Sequence, residues 1–174
     1  MTDLRALLRL LADNHVEFIV VGGVAATLHG SARVTRDLDV VYSRTPRNLA
    51  HLVTALHGHR PYPRGAPPGL PFLWDERTLR HGFNFTLETD LGNLDLLGEI
   101  TGGGGYAELR PHAIEVEVFG LRLLCLDLDT LIRVKEAAGR PRDFEATAEL
   151  RVIREERDGR EEYSDREAGR KPER

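Results

Sequence analysis

Residues 37–42, Asp-Leu-Asp-Val-Val-Tyr, constrain this chain more than any other stretch. In an extended strand successive side chains point to opposite faces, so Leu38, Val40 and Tyr42 share one face and Asp37, Asp39 and Val41 the other. The apolar set needs a core, and burying it holds the two aspartates on the far side, about 7 Å apart along the strand. Like charges on a half-buried strand repel and lose hydration, so the pair persists with a cation between them or with basic partners beside them. Arg33 and Arg36 are candidates for the second arrangement. Mg2+, which takes a few carboxylate oxygens together with waters and phosphates, suits the first.

The residues before this strand give it a setting. Residues 17–21 are short and β-branched and end abruptly at Gly22 and Gly23, and residues 24–29 carry the alanine and leucine of a short helix closed by Gly30. In such a strand, glycine turn and helix, backbone amides at the helix start can meet an anion at close range. A glycine pair also serves as a plain tight turn. No G-K-[ST] follows, and Gly22, Gly23 and Gly30 do not fit G-x-G-x-x-G, so neither a Walker loop nor a dinucleotide fingerprint is present. Farther on, residues 83–87 and 93–97 read as a hairpin around residues 90–92. Within it Asp95 stands between Leu94 and Leu96, repeating the acid-between-apolars pattern, and it completes a carboxylate cluster if its strand lies beside the first.

The rest of the chain reads as one domain and a tail. Leu4, Leu7, Leu8 and Leu11 recur at helical spacing after Thr2 or Asp3, and Thr45 and Pro46 open a helix to about residue 56. Residues 58–71, with five prolines and three glycines, read as an irregular loop, and residues 102–105, all glycine, as a loop or hinge. Residues 114–119 and 121–126 are strands around Gly120, Asp127 or Asp129 caps a helix over 131–138 that Gly139 stops, and Pro141 opens a last helix through Ile153. From Glu156 the chain is almost wholly polar, which predicts a domain over 1–155 and a disordered tail, or a frayed helical extension, over 156–174. A length of 174 residues with 41% hydrophobic and 30% charged residues fits one core of ordinary size.

Composition removes some function classes. A net charge of -4 gives no global attraction to nucleic acid, so an RNA contact needs a local basic patch. No segment approaches the roughly 20 apolar residues of a membrane span, and no basic leader opens the chain, which predicts a soluble, unprocessed protein with no membrane partner. The single cysteine, Cys125, lies in an apolar run as a buried hydrophobe, in keeping with a reducing cytoplasm. His29, His57, His59 and His81 are too irregularly spaced for a zinc set. Trp74 with Phe72 either closes over a base or sugar or packs its loop down.

The run V-G-G-V-A-A-T-L-H-G-S-A-R-V-T-R-D-L-D-V, from Val21 to Val40, resembles the signature of the nucleotidyltransferase superfamily, in which a glycine turn precedes a D-x-D strand and a third carboxylate lies on a later strand. Gly22, Gly23, Asp37, Asp39 and Asp95 match in order and setting. Arg33, Thr35, Arg36 and the segment L-I-R-V-K-E-A-A-G-R-P-R-D-F over 131–144 are similar to the branch containing the abortive-infection nucleotidyltransferase toxins. The resemblance implies an α/β (α+β) fold, a small mixed sheet backed by helices with further C-terminal helices. It implies attack by an acceptor hydroxyl on the α-phosphate of ATP or another NTP, with Mg2+ as cofactor and pyrophosphate as leaving group. Asp37, Asp39 and Asp95 would be the catalytic metal ligands, Asp95 alternatively the general base, and Gly22, Gly23, Arg36, Lys135 and Arg142 would contact the nucleotide. The implied acceptor is a tRNA or a protein, in a toxin with a cognate antitoxin. Two other readings share the fold: an antitoxin-like partner, and a non-catalytic module that binds nucleotide or partner. Gly23 departs from the serine of many members, and Asp143 would orient a neighbouring cation or cap the last helix.

Overall fold

The computed structural model describes the backbone of residues 1–169 and the side chains of all but residues 142, 161, 162 and 164–169. Helix α1 (Leu4–Asp13) begins where the Asp3 carboxylate accepts the Ala6 amide at 2.9 Å, and it buries Leu7, Leu8 and Leu11. Strand β1 (Phe18–Val20), helix α2 (Gly22–Leu28), strand β2 (Asp37–Tyr42) and helix α3 (Pro46–Leu56) follow in the expected order. Thr45 caps α3, its hydroxyl accepting the Asn48 amide at 3.3 Å, with Pro46 at the first helical position. After them come β3 (Tyr62–Pro63), α4 (Glu76–His81), β4 (Asn84–Thr89), β5 (Gly92–Leu97), β6 (Glu99–Ile100) and β7 (Gly104–Gly105). The chain closes with α5 (Tyr106–Leu109), β8 (Ala113–Val118), β9 (Leu121–Leu126), α6 (Leu128–Ala138) and α7 (Pro141–Gly169).

Seven strands form one mixed sheet in the order β3-β4-β5-β2-β1-β9-β8. Parallel pairing joins β5 to β2 and β1 to β9, and the other neighbours are antiparallel. The register sets Leu38 opposite Leu94 and Val40 opposite Leu96, and all four side chains are fully buried. A buried leucine contributes roughly 2 kcal/mol through its apolar area, and its loss to alanine costs about 2–5 kcal/mol once the cavity is counted. A slip of one residue would expose the whole row and bury the acids, so the core fixes which face the acids take. Phe119 and Gly120, at φ 53° and 73°, form the two-residue turn of the β8–β9 hairpin, as a primed turn requires.

Several segments differ from the sequence reading. Residues 58–71 are not irregular throughout: β3 pairs with β4, and the Tyr62 hydroxyl accepts the Leu70 amide at 3.0 Å and donates to the Pro67 carbonyl at 2.6 Å. Trp74 donates to the Leu52 carbonyl at 3.3 Å and meets Phe85 edge-on, so it packs the loop against α3 and the sheet. Residues 102–105 are no free hinge. Gly104 and Gly105 pair with β6, and a Cβ on Gly102 would stand 2.5 Å from Ala137 Cβ, so glycine serves close packing against α6 here. Helix α7 runs on to Gly169, through residues that the sequence reads as disordered or as a frayed helical extension. Among the described residues no helix is long and apolar enough to cross a membrane.

Candidate active site

The pairing of β2 with β5 sets Asp39 directly opposite Asp95 and Asp37 opposite Asn93. Side chains opposite each other in a ladder share a face, so the three acids converge on the side away from Leu38, Leu94 and Leu96. One carboxylate oxygen from each of Asp37, Asp39 and Asp95 lies within 4.8 Å of the other two, and among the described residues no other group of three or more potential metal ligands comes together. At that spacing each pair of charges repels by roughly 3–4 kcal/mol for an effective dielectric near 20. Burial first, then the charges of Asp37 and Asp95, pushes the Asp39 carboxyl up to about 6, against the opposing pull of a hydrogen bond from the Gly23 amide and the charge of Lys135.

Helix α2 is shaped around this acid. Gly22 has φ +63°, and a Cβ there would stand 2.0 Å from Asp39 Oδ2, so only glycine leaves room for the carboxylate. The anion that the Gly23 amide meets in this structure is Asp39 itself. A Cβ on Gly23 would lie 2.5 Å from Thr35 Oγ1, so the Thr35 hydroxyl fills the space that a serine side chain would need. That hydroxyl donates toward Asp37, 3.1 Å from its carbonyl and 3.2 Å from Oδ1.

Basic residues surround the acids unevenly. Lys135, on α6, faces Asp39 closely enough to favour its ionised form, and its Nζ lies 3.5 Å from Asp143 Oδ1, both side chains being mostly buried. Asp143 sits at the third position of α7, where it orients Lys135 instead of capping the helix. Arg36 is exposed immediately before β2 and makes no ion pair among the described residues. Arg33 does not pair with the strand acids; it lies 3.3 Å from Glu145 of α7. Beside it, Ser31 Oγ and the Ala32 amide both donate to Glu149 at 2.9 Å, tying the segment that leads into β2 to α7. The Arg142 side chain lies outside the described residues.

A further cation that reaches the acids, Arg64, has no signal in the sequence pattern. Arg64 Nη2 lies 2.6 Å from Asp95 Oδ1, and Nη1 lies 3.9 Å from Asp37 Oδ2. Arg64 follows β3 in a segment rich in proline and glycine, where no period indicates a facing direction. The signal that could have found it is the pairing of β3 with β4, which sets Arg64 level with Thr86 and hence with Asp95.

Other candidates fall away from the cluster. A cleft of about 490 Å3 between Tyr42, Arg44, Phe83, Glu99 and Tyr106 lies at the far end of β2 and includes none of the acids. His29 is 2.8 Å from the Leu126 carbonyl and His59 is 2.9 Å from Asp90, which places both in local packing. Burial pushes the Cys125 thiol up to about 12, leaving it unreactive at neutral pH.

No protein-family model matches the chain. No curated protein matches it. Among solved structures it is similar to the lincosamide antibiotic adenylyltransferase LnuA in its lincomycin-bound form, with TM-score 0.58 and 16% identity over 87% of this chain and 98% of that one. It is also similar to the antibiotic-resistance factor ANT(2'')-Ia, with TM-score 0.53 and 15% identity over 95% of this chain and 94% of that one. At such identities the likeness is one of fold. The chain has the nucleotidyltransferase fold, with the mixed sheet and backing helices that the resemblance implies.

Proposed function

We propose that this protein transfers a nucleoside monophosphate from an NTP to an acceptor hydroxyl, with Asp37, Asp39 and Asp95 as its catalytic carboxylates. The observation that carries this reading is the pairing of Asp39 with Asp95 across two strands, which brings Asp37 with them into a group spanning 4.8 Å. The nucleotidyltransferase fold supports it. The donor set fits Mg2+: three carboxylates, oxygen ligands only, and an Asp39 carboxyl raised to about 6 by burial and then by its two acid neighbours, a cost that a divalent charge offsets. Bound to these acids, the ion would neutralise phosphate charge and lower the pKa of the acceptor hydroxyl.

The chain's own groups divide the remaining work. In the alternative division of labour Asp95, on β5 toward the outer strands, takes the proton of the attacking hydroxyl instead of holding the ion. Lys135, held by Asp143, sets a positive charge beside Asp39 where the leaving pyrophosphate needs one. Gly22 and Gly23 leave the triphosphate free of side chains on the α2 side, and Arg36 and Arg142 are assigned as its further cationic contacts.

The acceptor we assign is a tRNA or a protein hydroxyl, in a cytoplasmic toxin with a cognate antitoxin. A second reading, transfer to a small hydroxylated molecule, is favoured by the near full-length likeness to LnuA, an adenylyltransferase of lincosamide antibiotics. Incubation with each NTP labelled at the α-phosphate, Mg2+, and tRNA, protein extract or a lincosamide in turn separates the two. Label should appear in one acceptor and vanish in Asp39→Asn. Nucleotide binding without label in any acceptor would favour the antitoxin-like or binding-module reading.

A further inference from the structure

Arg64 does what a cation would do at the cluster, and nothing in the proposed transfer accounts for it. Its guanidinium is 2.6 Å from Asp95 Oδ1 and 3.9 Å from Asp37 Oδ2, so one positive charge is shared between two of the three acids assigned to the divalent ion. A charge-assisted bond of this length is strong, and it claims a carboxylate oxygen on the face where the three acids converge. The third acid, Asp39, faces the charge of Lys135 instead.

The backbone beneath Arg64 is fixed while its side chain is long. The Arg64 amide donates to the Thr86 carbonyl at 2.9 Å, continuing the β3–β4 ladder, and Thr86 stands opposite Asp95. Tyr62, two residues earlier, is tied to the Pro67 carbonyl and the Leu70 amide, which holds the following loop over the sheet edge. Arg64 is therefore tethered at the rim of the cluster, its side chain 27% exposed, and the guanidinium can leave the acids without the strand moving.

We propose that Arg64 is a displaceable counter-ion: it occupies the acids in the nucleotide-free protein, yields them to a divalent cation, and then turns to the polyphosphate of the bound nucleotide. This rests on the reading of Asp37, Asp39 and Asp95 as a divalent-ion site. The exchange keeps the acids compensated, because two positive charges arrive with the metal as the single charge of the guanidinium departs, and the phosphate supplies the guanidinium's new partner. A cation so placed opposes metal binding in the absence of nucleotide and favours nucleotide in the presence of metal.

The test is Mn2+ titration of the nucleotide-free full chain, followed by titration of an NTP with a non-hydrolysable α,β-bridge at saturating Mn2+. Arg64→Gln should bind Mn2+ about tenfold more tightly than the parent, as removal of one charged hydrogen bond competing for the site implies. It should bind the NTP analogue about fivefold more weakly, the loss of one exposed charged contact to phosphate. Unchanged or weaker Mn2+ binding would overturn the exchange, as would unchanged or tighter analogue binding. Should Arg64→Gln not fold, the parent protein still decides: the Arg64 guanidinium resonances must move on saturation with Mg2+, and resonances that stay in place contradict the proposal. Transfer activity is not a readout here. A parent that transfers nucleotide while Arg64→Gln leaves Mn2+ affinity unaltered removes this inference alone, whereas tighter Mn2+ binding without transfer to any acceptor removes the transfer reading alone.

Discussion

Gly22 and Asp39 occupy adjoining space so closely that a Cβ on the glycine would stand 2.0 Å from Asp39 Oδ2. The start of α2 and the acid strand are thus fitted to each other, and the φ of +63° at Gly22 adds a second reason for glycine. Gly22→Ala should lose about 1–3 kcal/mol of stability from backbone strain alone. It should also displace the Asp39 carboxylate and weaken Mn2+ binding. Thermal melts and Mn2+ titration check both, and a variant that melts and binds like the parent contradicts the fit.

Asp39 gives the metal-free protein a distinctive pH dependence. Its folded-state pKa is raised from 3.8 to about 6, chiefly by burial and then by Asp37 and Asp95, so the folded chain holds a proton that the unfolded chain releases. Stability therefore falls as pH rises between those values, and the deficit is complete above about pH 6. The shift corresponds to on the order of 2–3 kcal/mol. In chelator, Asp39→Asn should melt above the parent at pH 8, and the difference should close as pH falls toward 4. Equal melting temperatures at pH 8 would contradict the burial of Asp39 beside its two acid neighbours.

Lys135 and Asp143 form a mostly buried pair, so removing one charge leaves the other without its partner. Lys135→Met should cost on the order of 1–3 kcal/mol, and adding Asp143→Leu should restore most of it. Urea unfolding of the two variants measures this difference. Lys135→Met should also raise the Asp39 pKa further, since Lys135 pulls it down. A double variant no more stable than Lys135→Met would mean that the pair is not coupled.

The acid cluster was legible because strand alternation is a strong constraint: once Leu38, Val40, Leu94 and Leu96 must be buried, Asp37, Asp39 and Asp95 have only one face left. The caps of α1, α3 and α6 were legible for a similar local reason. Arg64 was not, because its direction depends on a two-residue edge strand within a proline-rich segment. Glycines 102–105 were misread as freedom when neighbouring side chains require small residues there. The role of Asp143 depended on whether α7 began two residues earlier or at the acid itself.

Glu145, Glu149, Leu150, Arg151 and Arg154 bind α7 to the rest of the chain. Residues 156–160 are exposed and almost wholly charged. Deleting residues 156–174 should leave the melting temperature and NTP binding unchanged, because so little apolar area is removed. A clear fall in melting temperature would show that the charged end docks on the domain.

The most direct measurement follows label from the α-phosphate and, separately, from the γ-phosphate of the same NTP in the presence of Mg2+ and the acceptor fraction. The α-label should become bound to acceptor while the γ-label leaves as pyrophosphate, and Asp39→Asn and Asp95→Ala should abolish both while remaining folded. Asp95→Ala should keep part of the NTP affinity, since Asp37, Asp39 and Lys135 remain. Transfer of the γ-label, or α-label transfer that survives in both variants, would contradict a nucleotidyl transfer carried by the three aspartates.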